Sequence, residues 1–217
     1  GLANMQVESL LIDSQNPKFL YAGTLDGIFK TEDGGENWFR VSDGTYLLMD
    51  MQDNSHLYAR DENGIYKTID QGKTWTTAYT LKKDCPDEID AWAIHPANGN
   101  MLFIGGEATC AGVYQSLDGG SDWVSIGMTD KSNNIDAITI ALDEQGNHSI
   151  YASLSDTSII EENGLFVSHD GGITWYKIDQ FGCDVSIADP ENPSNVYCGL
   201  SVRSKGNPWQ NLRGLLP

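Results

Sequence analysis

The chain has 217 residues, with 31 acidic and 13 basic side chains and a formal net charge of −18 at pH 7. A surface this acidic repels phosphate backbones and anionic lipid headgroups, so we expect neither nucleic-acid binding nor attachment to a membrane by charge. No apolar run is long enough to cross a bilayer and no signal-like segment stands at the start, so direct membrane insertion is not expected either.

Four short runs of β-branched and aromatic residues open the chain, separated by Gly, Asn, Asp and Pro. This pattern is typical of strands joined by turns. It predicts strands near Val7–Ile12, Phe19–Gly23, Gly27–Lys30 and Trp38–Val41. No segment shows a sustained helical period, so the sequence predicts an all-β protein built from four-stranded antiparallel units.

An eight-residue pattern, Ser/Thr-x-Asp-x-Gly-x-x-Trp, spans the turn between the third and fourth predicted strands and occurs four times. The copies are Thr31–Trp38, Thr68–Trp75, Ser116–Trp123 and Ser168–Trp175. Four matches at four restricted positions are improbable by chance in a chain of this length. Internal repeats of roughly 40 residues are typical of propellers and solenoids.

The register of the repeat continues through five units. An aromatic residue recurs on the second predicted strand, and an acidic residue or its substitute stands eight positions before it. The aromatics are Tyr21, Tyr58, Phe103, Tyr151 and Tyr197, and the earlier residues are Asp13, Asp50, His95, Asp143 and Asp189. We therefore expect one domain over residues 1–217, with repeats at approximately 1–43, 44–80, 81–127, 128–180 and 181–217.

The fifth repeat is degenerate in its octapeptide. When Trp209 is aligned with the other motif tryptophans, Gly206 keeps the glycine position. Ser204 then replaces the Asp, and Val202 replaces the Ser/Thr.

The chemistry of the octapeptide is that of a tight turn. Its Asp can accept hydrogen bonds from backbone N–H groups, its hydroxyl can supply another local bond, and its Gly can adopt a positive φ. The residues assigned this structural role are Thr31, Asp33, Gly35, Trp38, Thr68, Asp70, Gly72, Trp75, Ser116, Asp118, Gly120, Trp123, Ser168, Asp170, Gly172 and Trp175. Because the turns lie at the outer edges of different repeats, we assign them no catalytic or metal-binding role and predict no cofactor.

These repeats resemble the Asp-box, also called the bacterial neuraminidase repeat, over nearly the whole chain. The segments Leu20–Thr24 and Gly27–Thr31 are similar to the consensus of its more regular members. Families built from this repeat include sialidases, xyloglucanases, sortilin-type receptors and photosystem II assembly factors, all of them β-propellers with different functions. The resemblance implies a β-propeller of four-stranded antiparallel blades. We expect five blades, and a segment of a six- to eight-bladed ring is the alternative.

The four cysteines, Cys85, Cys110, Cys183 and Cys198, lack the spacing of a zinc site. Pairing residues 92–94 with 101–103 in a hairpin places positions 85 and 110 opposite each other, which predicts a disulfide. Cys183 and Cys198 stand in a similar relation, two places out of register, and free buried thiols are the alternative. Disulfides would indicate an extracellular or periplasmic location.

Binding is expected on the face shared by the linkers between repeats and the loops that join second and third strands. The loops over 80–88, 107–111, 128–134 and 156–163 are longer than a hairpin needs, and long loops on a rigid scaffold often carry function. The candidate ligand-binding residues are Arg60, Asp87, Trp92, Glu107, Asp130 and Glu161. Core packing is the alternative for Trp92.

Enzymatic signatures are missing. A sialidase-like site needs three converging arginines, whereas the chain has only Arg40, Arg60, Arg203 and Arg213, two of them on outer strands. A xyloglucanase-like site needs two carboxylates about 6.5 to 9.5 Å apart, and no segment resembles the catalytic segments of that family. We therefore predict a non-enzymatic extracytoplasmic propeller that binds or scaffolds a protein, or binds a glycan. A polysaccharide-active glycoside hydrolase is the alternative.

Overall fold

The computed structural model describes residues 2, 5–81, 89–106, 110–129, 133–156, 163–180, 182, 185–189 and 195–199. Two compact units divide the chain: the first comprises residues 1–81, 94–101 and 117–122, and the second comprises 82–93, 102–116 and 123–217. Eighteen β-strands account for the regular structure of the described residues.

These strands form four four-stranded sheets and one two-stranded sheet, each with its strands in chain order. The first sheet contains β1 (Val7–Ile12), β2 (Leu20–Thr24), β3 (Gly27–Thr31) and β4 (Phe39–Ser42). The second contains β5 (Tyr46–Met49), β6 (Leu57–Arg60), β7 (Gly64–Thr68) and β8 (Thr76–Thr80). The third contains β9 (Ala91–His95), β10 (Asn98–Gly106), β11 (Gly112–Ser116) and β12 (Val124–Ser125). The fourth contains β13 (Asn133–Leu142), β14 (His148–Asp156), β15 (Gly164–Ser168) and β16 (Tyr176–Asp179), and the last pairs β17 (Val185–Ala188) with β18 (Val196–Gly199).

The predicted all-β class of four-stranded antiparallel sheets is confirmed, and the four strands predicted for the first repeat agree with β1 to β4 to within one residue at each end. The five recurring aromatics all lie on the second strand of a sheet, so the five-fold register is confirmed as well. Residues 202–209, which carry the degenerate octapeptide, lie outside the described residues, and the number of blades stays a prediction.

The core of the first unit lies between the first and second sheets. Side chains that alternate along β5 and β6 point to one face because successive residues of a strand face opposite sides. The buried residues of this core are Tyr21, Ile28, Leu47, Met49, Leu57 and Ala59, with Leu11, Val41, Tyr66 and Trp75 packed against them. Burial of each large aliphatic side chain stabilises the fold by about 1.5 to 3 kcal/mol.

The recurring tyrosines also connect neighbouring sheets in this unit. The Tyr21 hydroxyl donates a hydrogen bond of 3.0 Å to the backbone oxygen of Gln71, inside the octapeptide of the second sheet. The Tyr58 hydroxyl donates one of 2.9 Å to the backbone oxygen of Gly99. Both rings are fully buried, so each tyrosine contributes apolar packing and one directed polar contact.

The second unit repeats this organisation with its own core. Ala141, Tyr151, Leu165 and Val167 are buried together, and Ile178 and Val196 pack against them. The indole N–H of Trp175 lies 3.1 Å from the backbone oxygens of both Gly172 and Ile126. The motif tryptophan therefore contacts its own turn and the end of the preceding sheet.

The octapeptide turn is held by the hydrogen bonds that its residue types predict. In the first copy the Thr31 hydroxyl donates to Asp33 at 2.7 Å and accepts from the Gly35 N–H at 3.0 Å. Asp33 also accepts from the Asn37 backbone N–H at 2.9 Å. Equivalent bonds join Thr68, Asp70, Gly72 and Thr74 in the second copy, and Ser168, Asp170, Gly172 and Thr174 in the fourth.

One position of this turn needs a left-handed backbone in every copy. Gly34, Gly119 and Gly171 adopt φ values of 78°, 78° and 73°, whereas the second copy places Gln71 there with φ of 61°. A left-handed conformation costs a residue with a Cβ atom roughly 1 to 2 kcal/mol. The second turn is therefore strained at a position where the other copies are not.

We predict that Gln71→Gly raises the free energy of unfolding by about 0.5 to 1 kcal/mol, since relief of the left-handed strain exceeds the entropic cost of glycine. The backbone oxygen that accepts the Tyr21 hydroxyl is kept in this variant. Urea denaturation measures the change. Gln71→Ala is the control, because it removes the same side chain without removing the Cβ atom, and equal stabilities of the two variants would contradict this explanation.

Acid should weaken these turns. Hydrogen bonds from the residue four positions later lower the pKa of Asp33, Asp70 and Asp170 from the ordinary value of 3.8 to about 2. Because the pKa is lower in the folded chain than in the unfolded one, the stabilisation is complete above about pH 4 and is lost as pH falls towards 2. We expect Asp70→Asn to reduce the dependence of the melting temperature on pH between 4 and 2, because it removes a carboxyl whose pKa is lower in the folded chain. A dependence equal to that of the wild type would contradict this explanation.

Candidate functional site

An open cleft of about 550 Å³ lies in the first unit, where three loops meet. The loops are 25–26 between β2 and β3, 43–45 between β4 and β5, and 61–63 between β6 and β7. Its lining residues are Leu25, Asp26, Gly27, Arg40, Asp43, Gly44, Thr45, Asp61, Glu62, Asn63 and Tyr66. We call this feature the Tyr66 cleft. Both kinds of loop that the sequence predicts to share a binding face line this cleft: 25–26 and 61–63 join second and third strands, and 43–45 links two sheets.

Arg40 forms one wall of the Tyr66 cleft. Its Nε donates a hydrogen bond of 2.8 Å to the backbone oxygen of Asp26, and its Nη2 lies 2.5 Å from Oδ1 of Asp43. A Cβ atom on Gly27 would lie 2.8 Å from Nε of Arg40, and the φ of Gly27 is 115°. Glycine at this position therefore leaves the space that the guanidinium needs to cross the loop.

Tyr66 and Asp61 also line the cleft. Oδ1 of Asp61 accepts backbone hydrogen bonds from Asn63 at 2.7 Å and Gly64 at 3.1 Å, which makes 61–64 a tight turn. The Tyr66 hydroxyl donates to Asp61 at 3.2 Å, while its ring packs against the core of the first unit. Burial raises the pKa of Tyr66, and the nearby charges of Asp61 and Asp43 raise it further, so the phenol stays neutral and remains a donor.

The charge of the Tyr66 cleft is negative. Asp26, Asp43, Asp61 and Glu62 face one guanidinium, that of Arg40, which is already held by Asp43. Within the described residues the carboxylates of Asp26 and Glu62 are exposed and accept no hydrogen bond and form no ion pair. Leu25 stands beside them with 69% of its surface exposed. The cleft therefore combines available acceptors with apolar surface.

The two predicted ligand-binding residues that the structure describes, Arg60 and Trp92, do not line this cleft. Arg60 is buried on β6, with its guanidinium carbon 4.3 Å from the centre of the Tyr46 ring. Trp92 lies half-buried on β9, in the second unit. Asp87, Glu107, Asp130 and Glu161 lie outside the described residues, so their role stays a prediction.

Cys110 forms a disulfide. Its predicted partner, Cys85, lies outside the described residues, as does Cys183, while Cys198 is on β18. The Cys85–Cys110 pairing therefore stays a prediction. In the described ranges, no three His, Cys, Asp or Glu side chains are placed to hold a metal ion.

Sequence reasoning missed the main features of the Tyr66 cleft. It placed Arg40 on an outer strand, which is correct, but did not foresee that the guanidinium reaches the loop at Asp26. It also did not connect the turn at 61–64 to Tyr66. The sequence does carry one signal for this contact. The third strand of the second repeat has a tyrosine, Tyr66, at the position where the first and fourth repeats have Phe29 and Phe166, and only the tyrosine offers a hydroxyl.

Successive four-stranded antiparallel sheets, with a turn motif repeated between their third and fourth strands, define a β-propeller domain. The chain belongs to the DUF6242 β-propeller domain family, whose model matches residues 3–206. A search of curated proteins found no match.

Solved propeller structures share the fold at low sequence identity. A GH74 enzyme from Niastella koreensis has a TM-score of 0.67 at 22% identity, over 89% of this chain and 33% of that one. The extracellular domain of the putative one component system BT4673 from B. thetaiotaomicron has a TM-score of 0.62 at 15% identity, over 90% of this chain and 26% of that one. YCF48 from Cyanidioschyzon merolae has a TM-score of 0.56 at 14% identity, over 91% and 64% respectively, and a structure of YCF48 bound to D1 peptide matches equally well, at a TM-score of 0.56.

These similarities establish the fold and are consistent with the Asp-box-like propeller superfamily that the octapeptides predict. They do not assign one of its functional families. The chain spans about a third of the length of the GH74 structures that it resembles. Among the residues described, none belongs to a helix with the length and apolar character needed to span a membrane.

We expect the ring of Tyr66 to stabilise the fold by packing against the core of the first unit. We predict that Tyr66→Phe lowers the free energy of unfolding by less than about 1 kcal/mol, because it removes a single hydrogen bond. Tyr66→Ala should cost about 2 to 3 kcal/mol, because it also removes the ring from the core. Urea denaturation of both variants measures the difference, and similar losses would place the ring outside the core.

Proposed function

We propose that this domain is a non-enzymatic, extracytoplasmic β-propeller that binds a protein partner, and that the Tyr66 cleft is part of its binding face. The observation that carries the proposal is the meeting of three loops from two neighbouring sheets around one open cleft. Loops on a rigid scaffold are where binding residues concentrate. Here the ring of Tyr66 packs against the core of the first unit, and Asp61 accepts backbone hydrogen bonds within the turn that leads to it.

Two further observations support this proposal. Propellers of the same fold include YCF48, which has been solved bound to D1 peptide, and the extracellular domain of BT4673. The disulfide at Cys110 favours an oxidising compartment, since structural disulfides persist outside the cytoplasm.

Site-specific cross-linking tests the proposal. A photoreactive p-benzoylphenylalanine is placed at Leu25, which is 69% exposed on the rim of the cleft, and in a control protein at Ile173, which is 83% exposed in the fourth octapeptide. Both proteins are irradiated with an envelope extract of the source cells. We expect the probe at position 25 to capture one protein at a yield that approaches one to one, and the probe at 173 to capture none.

Three results would overturn the proposal: no cross-linked protein at position 25, the same products at both positions, or hydrolysis of xyloglucan or another polysaccharide by the purified domain. The last result would instead support the glycoside hydrolase alternative, and replacement of Asp87, Glu107 or Asp130 would then identify the catalytic carboxylates.

A further inference from the structure

We propose that the chain self-associates head to tail: the exposed face of the last sheet, β17 and β18, in one copy packs on the exposed face of the first sheet in a second copy. This inference does not rest on the proposed function. Its basis is that the two faces match the two halves of a sheet-to-sheet contact that the chain already makes within each unit.

The first half is an apolar face along β1. Leu11 packs against the core cluster that contains Tyr21. Leu10 and Ile12 lie on the opposite side of the sheet, because successive residues of a strand face opposite sides. Each of these two side chains has 55% of its surface exposed. Neighbouring exposed apolar side chains on one sheet face are typical of an interface.

The second sheet shows what covers such a face. Leu47 and Met49 occupy the same positions of the repeat as Leu10 and Ile12, three residues and one residue before the recurring aspartate. They are only 5% and 7% exposed, and they lie in one core cluster with Tyr21 of the preceding sheet. The face along β1 is therefore of the kind that the recurring-aromatic face of another sheet covers.

The second half is the recurring-aromatic face of the last sheet. Ile187 and Tyr197 pair across β17 and β18, so they lie on one face, and they are 62% and 49% exposed. The same positions of the fourth repeat hold Ala141 and Tyr151, which are buried, with Val196 of the last sheet packed against their cluster. The last sheet thus covers the fourth, while its own equivalent face is exposed.

A directed polar contact fits the same arrangement. Where the second sheet covers the first, the Tyr21 hydroxyl donates to the backbone oxygen of Gln71, at the fourth position of the octapeptide. Gly34 holds that position in the first sheet, and the N–H groups of Gly34 and Gln71 make equivalent 3.0 Å bonds to the turn after the first strand of their own sheet. The Gly34 oxygen is therefore the matching acceptor for the Tyr197 hydroxyl of a second copy.

A second copy is the occupant that supplies both halves. The two faces differ from each other, so the contact is heterologous and joins the last sheet of one copy to the first sheet of the next. Each chain carries a net charge of −18, so the charge as a whole opposes the contact and apolar packing drives it. Because salt screens the repulsion between copies, association should strengthen as salt is added.

Sedimentation velocity of the full chain tests the inference, over a wide range of protein concentration and at low and moderate salt. One variant, Leu10→Gln, Ile12→Gln, alters the face of the first sheet. The other, Ile187→Gln, Tyr197→Gln, alters the face of the last sheet. All four side chains are exposed, so we expect both variants to stay folded, which circular dichroism checks.

The matched control is Ile69→Gln, Leu117→Gln. These side chains are 63% and 64% exposed at the second position of the second and third octapeptides, away from both faces. We expect either face variant to weaken self-association by at least about tenfold, because it removes two apolar side chains from the contact. The control should weaken it less than about twofold. Equal losses in the control and the face variants would overturn the inference.

Mixing the two face variants gives the sharpest result. Each keeps one intact half, so we expect the mixture to form a one-to-one dimer and nothing larger, although each variant alone is monomeric. Absence of this dimer, or self-association that only one of the variants loses, would show that the two faces do not bind each other. A wild type that stays monomeric at every concentration would mean that another occupant, within the chain or from a different protein, covers these faces, and the inference would be wrong.

Discussion

The octapeptide turn is the element on which the rest of the first unit depends. Its aspartate accepts hydrogen bonds from the backbone and from the neighbouring hydroxyl, and these bonds hold the turn between the third and fourth strands of a sheet. The second turn also presents the backbone oxygen of Gln71 to the Tyr21 hydroxyl of the first sheet. Since Tyr21 also packs into the shared core, this turn contributes a directed contact between one sheet and the next.

The Tyr66 cleft follows from this packing. Once the two sheets share a core, the loops that leave their strands on one side lie close together, and three of them enclose a cavity. Tyr66 belongs to both features, because its ring packs in the core and its hydroxyl reaches Asp61. The proposed binding face is thus attached to the packed core of the unit, and a pre-organised site reduces the conformational entropy that a ligand must overcome.

Membership of the DUF6242 β-propeller domain family and similarity to GH74, BT4673 and YCF48 propellers place the chain within a fold that supports several functions. A propeller scaffold does not by itself determine activity, because function depends on the residues that the loops carry. In this chain three loops from two neighbouring sheets line one open cleft, and this meeting is the physical basis for the protein-binding function that we propose.

The sequence by itself determined the all-β class, the repeat and the positions of the first four strands, because turn residues and aromatic periodicity are local properties. It also identified His95 as a substitute for aspartate: its Nδ1 accepts the Ala97 N–H at 3.1 Å, as Oδ1 of Asp13 accepts the Gln15 N–H at 2.8 Å. Only the tertiary structure decided which side chains form a cleft. Arg40, Asp26 and Tyr66 come from different strands and loops, and their meeting depends on the packing angle of two sheets and on the reach of long side chains. Those are non-local quantities, so no spacing along the chain could have revealed them.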